Sequence, residues 1–284
     1  MRKLWTAVVA AIVISVAVAG IAIAENRYEV PKSLIGANPG VKGSVKDPVP
    51  AKLRFGFTVE DTENLRPQVV EEYRIAAEGL QSFPDARPTC PFNKAGDPLI
   101  GDPRDLSRAC RKAIVGKGTI HNEFGAPTDR SQKATCDVKI TLMNVSSGDP
   151  RFPTTIPQIR KRGGLAIRID QYVTEEGVDD GSRCPPTDIH GAIAAPFYDV
   201  KIEGISTAEL RFGVPTTLTH PSTLDNSVRE VASTVNKLKG KAKVRGKERT
   251  VGFYSLVGRK GKTRTTRVTF IDESGVKKTA TQKK

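Results

Sequence analysis

Alternation of apolar and polar residues constrains this chain more than any other feature. Between Lys52 and Glu60, Leu53, Phe55, Phe57 and Val59 fall at every second position, with Lys52, Arg54, Thr58 and Glu60 between them. Successive side chains of a strand point to opposite faces, so this period sets one face against a core and the other in water. The same period recurs at Cys136, Val138, Ile140 and Leu142, and at Leu165, Ile167 and Ile169. It returns at Tyr198, Val200 and Ile202, and again at Ala208, Leu210, Phe212 and Val214; the last two segments flank Gly204 and read as a hairpin. Ala113–Glu123 reads as a strand holding Gly116 and Gly118. Pro67–Leu80 carries Val69, Tyr73, Ala76 and Leu80 near helical spacing, but its surroundings favour a strand. In the tail, Val251–Val257, Thr263–Ile271 and Val276–Thr281 are separated by turns at 258–262 and Ser274-Gly275.

With 25 Gly and 19 Pro and no collagen period, the chain suits short strands joined by tight turns. The expected fold is all-β: a β-sandwich, Ig-like or jelly-roll-like, over 51–232, followed by a basic β-meander over 233–284. That meander is too short for a secure core of its own and is expected to pack on the body. Residues 25–50, with Pro31, Pro39, Pro48 and Pro50, read as a linker.

The N-terminus sets the expected compartment. Met1-Arg2-Lys3 precedes a largely apolar run from Leu4 to Ala24 that ends Ala22-Ile23-Ala24. This is the pattern of a signal peptide over 1–24 with an A-x-A cleavage site. The same run is long enough to remain as an uncleaved anchor, and both readings export the rest. Export permits disulfides. Cys90, Cys110, Cys136 and Cys184 form an even set with three possible pairings, of which Cys90–Cys110 and Cys136–Cys184 join sequence neighbours. A zinc site is disfavoured, since there is no C-x-x-C and no histidine at ligand spacing.

The net charge of +14 is unevenly spread. Residues 236–284 hold 16 Lys and Arg against 3 acidic residues, whereas 25–235 hold 27 against 28. Within the tail, Lys237, Lys239, Lys241, Lys243, Arg245, Lys247 and Arg249 recur at every second position. On one continuous strand all seven would line a single face, a candidate polyanion-binding surface. The alternative role for such a row is an edge strand kept soluble by its lysines.

Catalytic motifs are sparse. Gly116-Lys117-Gly118-Thr119 lacks the spacing of a phosphate loop, and its glycines read instead as a bulge or a close strand approach. Of His121, His190 and His220, His190 follows Asp188 by two residues, so both would share one face of a strand, but no G-x-S-x-G accompanies them. Glu175, Glu176, Asp179 and Asp180 share a loop, in no EF-hand pattern. The only tryptophan, Trp5, lies in the leader, which weakens a sugar-stacking reading.

The segment from Cys110 to Thr119, Cys-Arg-Lys-Ala-Ile-Val-Gly-Lys-Gly-Thr, resembles the cysteine and V-G-x-G strand of secreted β-sandwich proteins of high-GC Gram-positive (actinobacterial) type. Val268–Val276 is similar to their last hairpin. The likeness follows the order of elements over 51–284 on short motifs. It implies secretion and a β-sandwich, and it carries over no activity and no catalytic residue.

The expectation is therefore an exported, non-enzymatic protein of the cell envelope or medium, without a cofactor or metal. Its cationic tail would hold it on an anionic wall polymer or membrane surface. No nucleic-acid partner is expected, and the oligomeric state is left open. The rival is a secreted carbohydrate-acting or other hydrolase, with Asp188/His190 and the 175–180 loop as the places to look.

Overall fold

The computed structural model describes residues 26–29, 43–97, 103–145, 162–171, 189–258 and 263–283. The leader, Cys184, Asp188 and the acidic loop at 175–180 lie outside the described residues.

The alternating segments form strands where expected. The first five are β1 (Asn26–Glu29), β2 (Val49–Pro50), β3 (Leu53–Asp61), β4 (Val70–Ala77) and β5 (Leu80–Ser82). Then come short helices α1 (Phe92–Ala95) and α2 (Arg108–Ala113), and the long strands β6 (Ile114–Gly125), β7 (Ala134–Val145), β8 (Gly164–Gln171), β9 (Ile189–Ile202) and β10 (Ile205–Gly213). The single turn α3 (Thr216–Thr219) precedes β11 (Asp225–Val235), β12 (Lys239–Val244), β13 (Lys247–Gly252), β14 (Tyr254–Leu256), β15 (Thr265–Asp272) and β16 (Lys277–Lys283).

The fold is all-β. Eleven strands make one sheet in the order β1-β3-β11-β6-β7-β8-β9-β10-β4-β15-β16, every neighbouring pair antiparallel. The sheet curls into a barrel-like sandwich that is nearly closed, bringing edge strands β1 and β16 together. Tyr28 of β1 stacks on Phe270 of β15 with ring centroids 4.3 Å apart, across the closing seam. The Pro67–Leu80 segment is strand, because β4 is held between β10 and β15 and tertiary pairing overrides its weak helical period. The 232/233 boundary falls inside β11, and β15 and β16 are the last two strands of the same sheet.

Inward residues of all these strands share one core. Its aromatic centre is Phe57, Tyr73, Phe212 and Phe270, with Phe57–Tyr73 and Tyr73–Phe212 centroids each 5.3 Å apart. Burial of rings on this scale dominates the hydrophobic gain. A bulge at Arg229 keeps β11 in phase: Val228 and Val231 both pack on the core although three positions apart, which an unbroken period of two forbids. Gly116 and Gly118 serve the strand role expected of them. A Cβ on Gly118 would stand 2.3 Å from the Ala232 carbonyl oxygen, and one on Gly116 2.3 Å from that of Thr234.

The excursion from Phe83 to Ala113 is pinned by the Cys90–Cys110 disulfide. It forms a second small core, where Cys90, Ala95, Leu106 and Cys110 cover Met143 and Ala166 on the outer face of β7 and β8. Closing a loop of this length removes about 3 kcal/mol of unfolded-chain entropy. Cys136 is also disulfide-bonded.

Candidate functional site

The cationic run does not present one face. Arg245 and Gly246 both have positive φ, 50° and 80°, and make a two-residue turn of the kind that joins right-twisted strands. The chain folds back there, pairing Lys243 with Glu248, Lys241 with Thr250 and Ala242 with Arg249. Lys239, Lys241 and Lys243 therefore share one face with Glu248, and Lys241 Nζ lies 3.6 Å from Glu248 Oε1. Lys247 and Arg249 belong to the opposite face, which also carries Ala242, Val244 and Val251 buried against Ala86. Arg245 is in the turn and Lys237 precedes β12. The expected row of seven is thus three, partly neutralised, plus four dispersed cations.

A denser basic site lies on the outer face of the main sheet. The register aligns Arg54 of β3, Thr234 of β11, Lys117 of β6 and Thr141 of β7 in one row. The adjacent row is Ala232, Thr119, Lys139 and Asp170. Strands lie about 4.8 Å apart, so Arg54 and Lys117, two strands apart, are separated by about 10 Å at their Cα atoms. With Lys52 and with Arg104 from the disulfide-pinned excursion, they surround a cleft of about 970 Å³.

Among the described residues Asp170 is the one acid on the cleft wall, and Arg168 Nε sits 2.8 Å from its Oδ1. Arg168 is itself fully buried and donates to the carbonyls of Ala95 and Asp97 at 2.9 and 3.1 Å, tying the excursion to β8. Lys52, Arg54, Lys117 and Lys139 are exposed and make no ion pair among the described residues. The cleft wall is completed by hydroxyls of Thr119, Thr141 and Thr234 and the amide of Asn236. Ammonium and guanidinium groups beside hydroxyl donors suit sulfate, phosphate or carboxylate oxygens.

Two of the histidines contact acids. His121 Nδ1 is 2.6 Å from Asp137 Oδ1 on the outer face. His190 pairs through its backbone with Asp170 in register. His220 is wedged between two acids at the end of the sheet capped by α3, with Nδ1 3.0 Å from Asp225 Oδ1 and Nε2 3.6 Å from Glu273 Oε2. Burial and the neighbouring Asp225 hold the Glu273 carboxyl above its ordinary pKa, and His220 partly opposes this. Among the described residues no cluster of three or more His, Cys, Asp or Glu is placed to hold a metal.

Within the sheet, an apolar cavity of about 130 Å³ lies among Val138, Ile140, Ile167, Ile193 and Leu210. Comparison with family models, with curated proteins and with solved structures gives no match for this chain.

Proposed function

We propose that this is an exported, non-enzymatic protein of the cell envelope or medium that holds an anionic polymer in the basic cleft. The observation that carries this reading is the set of four exposed cations with no ion pair among the described residues, Lys52, Arg54, Lys117 and Lys139, which meet from β3 and the residue before it, β6 and β7 on one wall of hydroxyls. Like charges gathered on one wall, whose acid Asp170 is engaged by Arg168, repel one another unless an anion meets them, and a concave wall focuses the field. The exposed lysines of β12 extend the positive potential and act as an auxiliary contact rather than as the main one.

Export rests on the signal-like leader and fits the disulfide of the folded body. No helix among the described residues is long and apolar enough to cross a membrane. The reading is tested by fractionating host cells that express the full chain or the Lys52→Gln/Arg54→Gln/Lys117→Gln/Lys139→Gln variant, each washed at low and high salt. The expected result is a full chain on the envelope that elutes with salt, with the variant released at low salt. Equal partitioning of both forms, or retention in the cytosol, contradicts the reading.

A further inference from the structure

We propose that the interior of the sheet binds one small apolar molecule with a hydroxyl at one end, of the size of a phenol or a monocyclic alcohol. The inference is independent of the polymer-binding cleft, which lies on the opposite face of the strands.

The cavity is about 130 Å³, close to the roughly 150 Å³ apolar cavity that takes up benzene. Its walls are mostly branched aliphatic side chains from β3, β4 and β6 to β11, with Phe55, Phe57, Phe212 and Tyr254 also reaching it. Such a lining by itself marks only imperfect packing. Three polar groups change the reading. Asn122 Oδ1, Asn226 Oδ1 and the Tyr73 hydroxyl all belong to residues lining the cavity, all three atoms are buried, and none has a hydrogen-bond partner among the described residues. Asn122 is 5% exposed and Tyr73 2%, so bulk water does not reach them. Native interiors rarely leave such atoms unpaired, because each forfeits its hydration without compensation.

The chemistry of the missing partner follows from the atoms. The Asn226 amide nitrogen donates to the Leu218 carbonyl at 2.7 Å, which fixes its Oδ1 as the acceptor left over. Asn122 and Asn226 lie on the same face of adjacent strands, where Asn122 pairs with Val228 and Asn226 with Phe124. The Asn226 oxygen calls for a donor and repels a carboxylate, and the Asn122 amide beside it can donate or accept. A hydroxyl meets both, and the aliphatic wall takes the ring. Leu218 and Thr219 of α3 also line the cavity.

The test is calorimetric titration of the purified exported chain with phenol, benzene and benzoate. The expected result is saturable one-to-one binding of phenol, with benzene and benzoate each about tenfold weaker or worse. Asn122→Val should abolish the preference for phenol over benzene while retaining benzene. Ala208→Leu, which fills the cavity, should lower the affinity for both at least tenfold; Ala208→Val serves if the larger side chain prevents folding. Absence of saturable binding overturns the proposal. So does phenol affinity unaltered by both substitutions, or a crystal soaked in phenol with only an ordered water between Asn122 and Asn226.

Discussion

Arg66 Nη2 lies 2.8 Å from Asp225 Oδ2, with the arginine side chain wholly buried at the α3 end of the sheet. The same guanidinium donates to the Ala126 carbonyl at 3.0 Å, and the Arg66 carbonyl accepts from Arg130 Nε at 2.7 Å. Arg130 in turn pairs with Asp61 at the end of β3. This chain of contacts ties the ends of β3, β6 and β11 together. Removing one partner strands a buried charge, which costs about 3–5 kcal/mol. Asp225→Ala should therefore destabilise the protein by about that amount in urea unfolding. An effect below about 1 kcal/mol would show that the pair is not buried in solution.

Glu273 gives the pH dependence at the same end. Its folded pKa is raised, chiefly by burial, so its contribution to stability is full below the unfolded carboxylate value and is lost as pH rises through the folded one. The ionised form is the unfavourable one. Glu273→Gln should leave the melting temperature near that of the parent at pH 4 and raise it modestly at pH 7. The side chain is 42% exposed, so solvent screening keeps the gain small. A parent more stable than the variant at pH 7 would mean that the contact with His220 outweighs burial.

Close approach at Gly118 makes a third prediction. A methyl group there meets the Ala232 carbonyl oxygen at 2.3 Å, and backbone cannot rotate away as a side chain can. Gly118→Ala should cost about 1–3 kcal/mol. Gly191 on β9 has nothing within 4 Å of the same added atom, so Gly191→Ala should change stability by no more than about 0.5 kcal/mol. Equal effects at the two sites would contradict the register of β6 against β11.

The disulfide-pinned excursion gives the fourth. Cys90→Ala/Cys110→Ala should lower unfolding free energy by about 3 kcal/mol. Because the excursion supplies Arg104 to the cleft, the double variant should also bind polyanions more weakly while staying folded. Circular dichroism and salt-dependent retention on a polyphosphate column read the two effects separately.

The periodicity of Leu53, Phe55, Phe57 and Val59 showed which face of β3 is buried, and the Glu203-Gly204 turn was marked by its glycine. Gly116 and Gly118 were legible as a close approach because a phosphate loop demands a spacing they lack. The cationic run misled for a local reason. Gly240 and Gly246 look alike in an alternating sequence, yet only Gly246 sits at positive φ and reverses the chain, while Gly240 packs against the Ala86 carbonyl. The basic cleft was hidden for a global one. Lys52, Arg54, Lys117 and Lys139 each read as the solvent-facing partner of an apolar residue. They meet because β11 inserts between β3 and β6, a crossover that no local pattern announces.

The central claim is that the cleft, not the β12–β13 hairpin, holds the polyanion. Its most direct measurement is polyphosphate affinity across a series of salt concentrations, for the parent, Lys52→Gln/Arg54→Gln/Lys117→Gln/Lys139→Gln, and Lys239→Gln/Lys241→Gln/Lys243→Gln. The account predicts a salt-dependent affinity that falls at least tenfold, with a shallower salt slope, in the cleft variant and only slightly in the hairpin variant. A large loss in the hairpin variant with none in the cleft variant, or no binding by the parent at low salt, would contradict it.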